Sequence, residues 1–310
     1  MSPDEPNRII HADNLAVLPT LPDGRFTLVY LDPPFNTGRA QARQSTRHVR
    51  LPDGAAGDEI AADVAGPAAS GTITGFAGKR YERIRGDLLR YDDRFDDYWA
   101  FLEPRLVEAW RLLADDGTLY LHLDYREAHY AKVLLDALFG RECFLNELIW
   151  AYDYGAKTKR KWPTKHDTIL VYVKNPKKYW FDSTAVDREP YMAPGLVTPE
   201  KAALGKLPTD VWWHTIVSPG GREKTGYPTQ KPEGILRRIV QASTREGDWV
   251  LDFFAGSGTT GAVAATLGRR FVLVDENPEA IAVMKGRFTD VAGVEFEQGV
   301  ATPGGVAAGT

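Results

Sequence analysis

The sequence predicts an α/β fold, a mostly parallel sheet covered by helices on both faces. Two observations carry that expectation. Short apolar runs of strand length alternate with segments of helical periodicity along most of the 310 residues. Two of the runs also end in chemistry-bearing turns, Asp32-Pro33-Pro34-Phe35 and Asp252-Phe253-Phe254-Ala255-Gly256-Ser257-Gly258. Open parallel sheets hold their ligands at the carboxyl ends of their strands.

The elements follow in order. Arg8 to His11 and Thr27 to Leu31 read as apolar strands. Residues 95–113 carry Tyr98, Phe101, Leu102, Leu106, Ala109, Trp110 and Leu113 at helical spacing and stop at Asp115-Asp116-Gly117. Thr118 to Leu123 is a third strand, residues 126–139 a helix closed by Gly140, and residues 148–150 and 168–173 further strands. A helix over 232–242 opens with Pro232, whose missing N–H costs nothing in a first turn. Strand 249–251, helix 259–267 and strand 271–274 complete the alternation. Residues 39–78, dominated by Ala, Gly, Ser and Asp, lack the large apolar side chains that anchor a segment to a core and predict a mobile loop. The Gly/Ala-rich residues 300–310 predict a flexible tail.

With 43% apolar and 26% charged residues the composition is that of a globular chain, neither collagen-like nor disordered. A single cysteine, Cys143, excludes an internal disulfide and a cysteine zinc site and favours a reducing, cytoplasmic compartment. No basic-then-apolar leader opens the sequence and no apolar run is long enough to span a bilayer, so no membrane partner is expected. None of the six histidines falls in a metal-binding pattern, and no metal is expected. His122, on an apolar strand, reads as a satisfied core residue.

Net charge is −4, unevenly spread. Residues 151–225 hold thirteen Lys or Arg against eight Asp or Glu, a balance of +5 that leaves −9 elsewhere. The basic segment is rich in aromatics, among them Tyr152, Tyr154, Trp162, Trp212 and Trp213, and begins with Lys157, Lys159, Arg160 and Lys161. Cations interleaved with flat rings suit a surface that holds phosphates and stacks bases. A solvated lysine-rich face over an aromatic core is the plainer alternative.

Two clusters carry chemistry. In Asp32-Pro33-Pro34-Phe35 the prolines remove two donors, the Pro33 carbonyl and the Asp32 carboxylate accept, and Phe35 offers a flat face. Such a set suits a planar ring bearing an amine. In Gly256-Ser257-Gly258-Thr259-Thr260-Gly261, followed by Asp275, glycines let a ligand approach the backbone and an acid accepts from ribose hydroxyls. That pattern implies an adenosine-containing cofactor without separating NAD from S-adenosylmethionine. Asp252 tips the choice, since a carboxylate there would repel a pyrophosphate but suits the ammonium of a methionine moiety.

These motifs, with Gly226-Tyr227-Pro228-Thr229-Gln230-Lys231-Pro232 between them, resemble the β group of bacterial DNA amino-methyltransferases over roughly residues 8–288. The resemblance implies a permuted seven-stranded, Rossmann-like methyltransferase sheet with an inserted target-recognition region. Residues 1–174 would be the catalytic half, 175–225 the recognition region and 226–299 the cofactor half, with the glycine-rich strand beside the Asp-Pro-Pro-Phe strand. It further implies that Asp32 and the Pro33 carbonyl, in the turn fixed by Pro34, accept from the target amine while Phe35 stacks on an extruded base. Asp13 would meet the cofactor's adenine amine. Phe253, Gly256 and Gly258 would line its methionine and adenosine, Asp275 would take the ribose, and Thr229 with Lys231 would approach its carboxylate.

The implied activity is methyl transfer from S-adenosylmethionine to an exocyclic amine of double-stranded DNA. Asp before Pro-Pro leans toward adenine N6, with cytosine N4 the alternative. The resemblance implies a homodimer, for which the helix with Tyr125, His129, Tyr130 and Phe139 around it and Val133, Leu134 and Leu138 on it offers apolar surface, and a cognate restriction endonuclease or none as a further partner. A dehydrogenase would use the same glycines but leaves the Asp-Pro-Pro-Phe strand unexplained. A DNA-binding protein with a vestigial site conflicts with the intact Asp32 and glycines. RNA or protein substrates remain as alternatives within the methyltransferases.

Overall fold

The computed structural model describes residues 5–35, 41–50, 72–74, 80–91, 98–155, 157–218 and 220–299. The strands are β1 (Asn7–His11), β2 (Phe26–Leu31), β3 (Gln41–Arg50), β4 (Thr72–Thr74), β5 (Arg80–Tyr91), β6 (Leu113–Leu123), β7 (Phe144–Ala151), β8 (His166–Val173), β9 (Val211–Trp213), β10 (Trp249–Asp252), β11 (Arg270–Asp275) and β12 (Val294–Gln298). The helices are α1 (Asn14–Val17), α2 (Tyr98–Leu112), α3 (Ala128–Phe139), α4 (Pro199–Leu204), α5 (Glu233–Ser243), α6 (Thr259–Thr266) and α7 (Pro278–Arg287). Two compact units result, residues 37–94 and the remainder of the chain, and residues 175–225 belong to the second.

In the larger unit nine strands form one sheet in the order β12-β1-β11-β10-β2-β6-β8-β7-β9. Only β8 runs antiparallel to its neighbours, β6 and β7; the remaining pairs are parallel. The expected seven strands are thus corrected to nine. The additions are the two edge strands, β12, whose Val-Glu-Phe-Glu-Gln is half polar, and the three-residue β9. An edge strand needs only one neighbour and little apolar content, so neither leaves a strong pattern.

Alternation along the central strands explains why helices cover both faces. Val29 and Leu31 of β2 join Leu102, Leu106, Leu112, Leu134 and Leu135 from α2 and α3 in one core. Leu28 and Tyr30 join Ile235, Ile239, Val263, Ala264, Ile281 and Met284 from α5, α6 and α7 in the other. β2 is buried along its whole length, as expected of a strand in the middle of a doubly covered parallel sheet.

The smaller unit is a three-stranded antiparallel sheet, β3-β5-β4, with Gln41 opposite Tyr91 and Arg50 opposite Tyr81. The loop expected over 39–78 is therefore corrected at residues 41–50 and 72–74, which are strands. Composition misled because an antiparallel ladder satisfies its backbone groups without large apolar side chains. The rest of that stretch and the expected tail, 300–310, lie outside the described residues. Among the described residues, no helix is long and apolar enough to cross a membrane.

Candidate active site

Four adjacent parallel strands, β1, β11, β10 and β2, end on the same edge of the sheet, and an acid stands at or just beyond each end. These are Asp13, Asp275, Asp252 and Asp32. The pairing of β10 with β2 sets Val250 opposite Leu28 and Leu251 opposite Val29. The glycine-rich turn and the Asp-Pro-Pro-Phe turn therefore leave the sheet side by side, although more than two hundred residues separate them in sequence.

Asp252 is almost wholly buried and both its oxygens serve the turn itself. Oδ1 accepts from the Phe254 amide at 3.0 Å and Oδ2 from Thr260 Oγ1 at 2.6 Å. Burial pushes its carboxyl up to about 7, against those hydrogen bonds and with help from the charges of Asp32 and Asp275. In this geometry Asp252 ties the strand end to the start of α6.

Gly256 (φ +51°) and Gly258 (φ +72°) sit in the left-handed region, which explains glycine at both. They face different ways. A Cβ on Gly256 would stand 3.1 Å from the Tyr227 ring, whereas one on Gly258 would stand 2.8 Å from Met284 Cγ and 2.9 Å from Phe288. The side of Gly258 where a Cβ would stand thus packs closely against Met284 and Phe288. Arg287 of α7, which the sequence reading passed over, donates to the Ser257 carbonyl at 3.3 Å and Thr259 Oγ1 at 3.1 Å and pairs with Glu233 of α5 at 2.6 Å.

Asp275 accepts from the Gly256 amide at 2.7 Å and the Asn277 amide at 2.9 Å, so the second acid also shapes the turn. Burial raises its carboxyl to about 6, opposed by these amides. Like Asp252 it has both oxygens engaged by the turn, but its residue is half-buried rather than buried. Phe253 is buried, and its carbonyl accepts from Asn14 Nδ2 at 3.0 Å. Asp13 caps α1 through the Leu15 amide at 3.0 Å and lies 3.5 Å from Arg105, its side chain about half exposed. Arg105 also donates to Asn14 Oδ1 at 2.8 Å and covers the Phe101 ring at 4.0 Å, bracing the β1 end against α2.

At the β2 end Pro33 is buried, and Pro34 and Phe35 are half-buried. Lys231 Nζ donates to Asp32 Oδ2, while Oδ1 is buried with no hydrogen-bond partner among the described residues. Lys231 was expected toward a cofactor carboxylate; the structure brings it to Asp32. Thr229, its companion in that expectation, is exposed. Behind Phe35 lies a buried polar chain. His122, its ring 5.9 Å from Phe35, is fully buried, with Nδ1 2.8 Å from Tyr30 Oη and Nε2 3.3 Å from Asp167. Tyr152 Oη donates to Asp167 at 3.0 Å. Burial works against the Asp167 carboxylate, yet His122, Lys231 and Tyr152 hold it below the ordinary range. His122 is thus the satisfied core residue expected, and it doubles as the support of the Phe35 ring.

Lys157, Lys159, Arg160 and Lys161 are exposed in the segment between β7 and β8, with Lys161 Nζ 5.6 Å from the Tyr125 ring. Trp162 beside them is 93% exposed, and Tyr154 and Trp213 stand out into solvent. Trp212 of the same basic segment is a core residue, as is Trp150 just before the segment.

The DNA methylase family model matches residues 26–286. The chain belongs to this family. A relative, the DNA adenine methyltransferase YhdJ of Escherichia coli, is 30% identical over 93% of this chain and 84% of its own length. The type II methyltransferase M.HpaI of Haemophilus parainfluenzae is 33% identical over 62% of this chain and 60% of its own length. Among solved structures, the cytosine-N4-specific PvuII DNA methyltransferase superposes with a TM-score of 0.61 at 15% identity, covering 95% of each chain. A complex of M1.HpyAVI with S-adenosylmethionine gives 0.55 at 19% identity, covering 91% of this chain and 98% of that one. The family is that of S-adenosylmethionine-dependent DNA methyltransferases.

Within this methylase the buried Asp252 makes stability depend on pH. The folded chain holds that proton more tightly than the unfolded one, so the contribution is full below about pH 4 and is lost as pH rises through about 7. Urea unfolding is expected to show the wild type losing a few kcal/mol between about pH 5 and 8, and Asp252→Asn losing much less. Equal losses would place the titration elsewhere.

Proposed function

We propose that this chain methylates an exocyclic base amine of double-stranded DNA in a site-specific manner, with adenine N6 the favoured target. The observation that carries the reading is Asp32 Oδ1, a buried acceptor without a partner among the described residues, three residues before Phe35 and one strand from the glycine-rich turn. A buried polar atom left unpaired is costly, and a base amine is a donor that would satisfy it.

The residues at the sheet edge fit S-adenosylmethionine. Asp275 is half-buried at the end of β11, Asp13 is half-exposed at the end of β1, and Gly256 with Phe253 forms the turn between them. Asp275 would take the ribose hydroxyls and Asp13 the adenine amine. The cofactor, when bound, supplies an electrophilic methyl group. Everything else falls to the chain's own side chains. Asp32 and the Pro33 carbonyl would each accept an N–H of the target amine, drawing its lone pair out of conjugation with the ring. Phe35, backed by His122, would hold the base by stacking, a contact that suits an extruded base. Asp32 need not be a strong base, because the amine's proton becomes acidic only after methylation.

Adenine is favoured because Asp stands before Pro-Pro, and because YhdJ, similar over most of both chains, is named as an adenine enzyme. The exposed Lys157, Lys159, Arg160, Lys161 and Trp162 support a backbone-contacting surface, and residues 175–225 are proposed as the recognition region. Tyr130 and Val133, each about 60% exposed one turn apart on α3, form an apolar stripe suited to a twofold contact with a second copy.

Two experiments test this reading. Asp32→Ala is expected to lower transfer of labelled methyl to DNA by about 100-fold or more while leaving cofactor affinity within a few fold. Near-normal turnover would remove Asp32 from the chemistry. Neutralising Lys157, Lys159, Arg160 and Lys161 together is expected to weaken DNA binding and flatten its salt dependence by up to about one unit per lost phosphate contact. An unchanged slope would make the run a solvated face.

A further inference from the structure

We propose that Lys231 is the positioning residue for Asp32, holding one carboxylate oxygen so that the other is the acceptor left for the base amine. The proposal rests on the methyl-transfer reading of Asp32 and departs from the expectation that Lys231 meets the cofactor's carboxylate.

The sequence around Lys231 builds a rigid support for it. Gln230 folds its preceding loop back on itself: Oε1 accepts from the Thr225 amide at 2.8 Å and Thr225 Oγ1 at 2.9 Å, and Nε2 donates to the Glu223 carbonyl at 2.6 Å. On the other side Pro232 is buried and α5 begins, its Glu233 amide donating to Glu223 Oε2 at 2.7 Å. The lysine is therefore presented from a short closed loop clamped at both ends. Its side chain is 12% exposed and that of Asp32 15%, so the pair meets largely out of water, where the attraction between the charges is stronger than on a surface and removing one partner leaves an uncompensated charge.

The pair also sorts the two carboxylate oxygens. Oδ2 takes the ammonium, while Oδ1 stays buried and unpartnered among the described residues. A carboxylate with both oxygens free could accept in several orientations; pinning one oxygen fixes the direction in which the other accepts. Lys231 Nζ stands 5.0 Å from the centre of the Phe35 ring as well, so one ammonium links the acceptor to the face on which the base would stack. It acts through Asp32 and Phe35, not on the reacting atoms.

Three readouts on the full chain with duplex DNA separate this role from a cofactor contact and from a structural one. They are S-adenosylmethionine affinity by calorimetry, the KM for DNA, and the single-turnover transfer rate at saturation. Lys231→Met is expected to lower the rate by about 30-fold or more while cofactor affinity and KM stay within about threefold. Lys231→Arg, whose guanidinium can also grip one carboxylate, is expected to recover most of the rate. In an Asp32→Asn background, whose own rate is already depressed, adding Lys231→Met is expected to cost less than about twofold. Lys231→Gln replaces Lys231→Met in the same cycle if the latter unfolds. Cofactor affinity weakened more than about tenfold with an unchanged saturated rate would return Lys231 to the cofactor and overturn the proposal, as would equal costs in both backgrounds. An Asp32→Asn variant with normal rate would instead overturn the methyl-transfer reading of Asp32, and the proposal with it.

Discussion

The parallel pairing of β2 with β10 is the contact on which the site depends. Two registered positions, Leu28 with Val250 and Val29 with Leu251, bring the ends of two short strands together from distant parts of the chain. Neither strand could hold that register alone. Leu28 and Val250 point into the core covered by α5, α6 and α7, while Val29 and Leu251 point into the one covered by α2 and α3. A slip by one residue would exchange the two sets of side chains, and both interiors would have to repack. Burial on both faces is thus what fixes Asp32 relative to the glycine-rich turn.

Gathering acids at one sheet edge carries an electrostatic cost, and the fold meets it locally. Asp252 and Asp275 rise to about 7 and about 6, and burial with the charges of Asp32, Asp252 and Asp167 lifts the Tyr30 hydroxyl well above its ordinary range. Backbone amides of Phe254, Gly256 and Asn277, with Thr260, offset part of the strain on the two turn acids. Asp32 is treated differently: it is given a cation on one oxygen and, among the described residues, no hydrogen-bond partner on the other. The two acids that shape the turn are satisfied internally, and the one beside Phe35 keeps a vacant acceptor. This difference in hydrogen bonding, more than the motif itself, is what the proposal for Asp32 rests on.

Much of this was legible because it rests on period and punctuation. The alternation of strands and helices, the strand ending in Asp32-Pro33-Pro34 and the turn through Gly256 are local patterns, and the structure has each close to its expected bounds. What was not legible depends on direction and register. Asp252 and Asp32 both end apolar strands, yet only coordinates show that one spends both oxygens on its own turn. Gly256 and Gly258 are two residues apart with positive φ, yet one faces Tyr227 and the other the side of α7. Lys231 follows Asp32 by 199 residues, and no spacing rule reports which of two anions a lysine will reach. The edge strands β9 and β12 and the antiparallel sheet of β3, β4 and β5 escaped because each relies on backbone pairing more than on an apolar pattern.

The most direct test of the central claim is chemical. Duplex DNA of mixed sequence is incubated with the protein and S-adenosylmethionine carrying an isotopically labelled methyl group, then digested to nucleosides and analysed by mass spectrometry. Label is expected on an exocyclic amine, as N6-methyladenine in the favoured case or N4-methylcytosine in the alternative. Label on a ring carbon, or none above a cofactor-only control, would contradict the assignment of the Asp32 acceptor to a base amine.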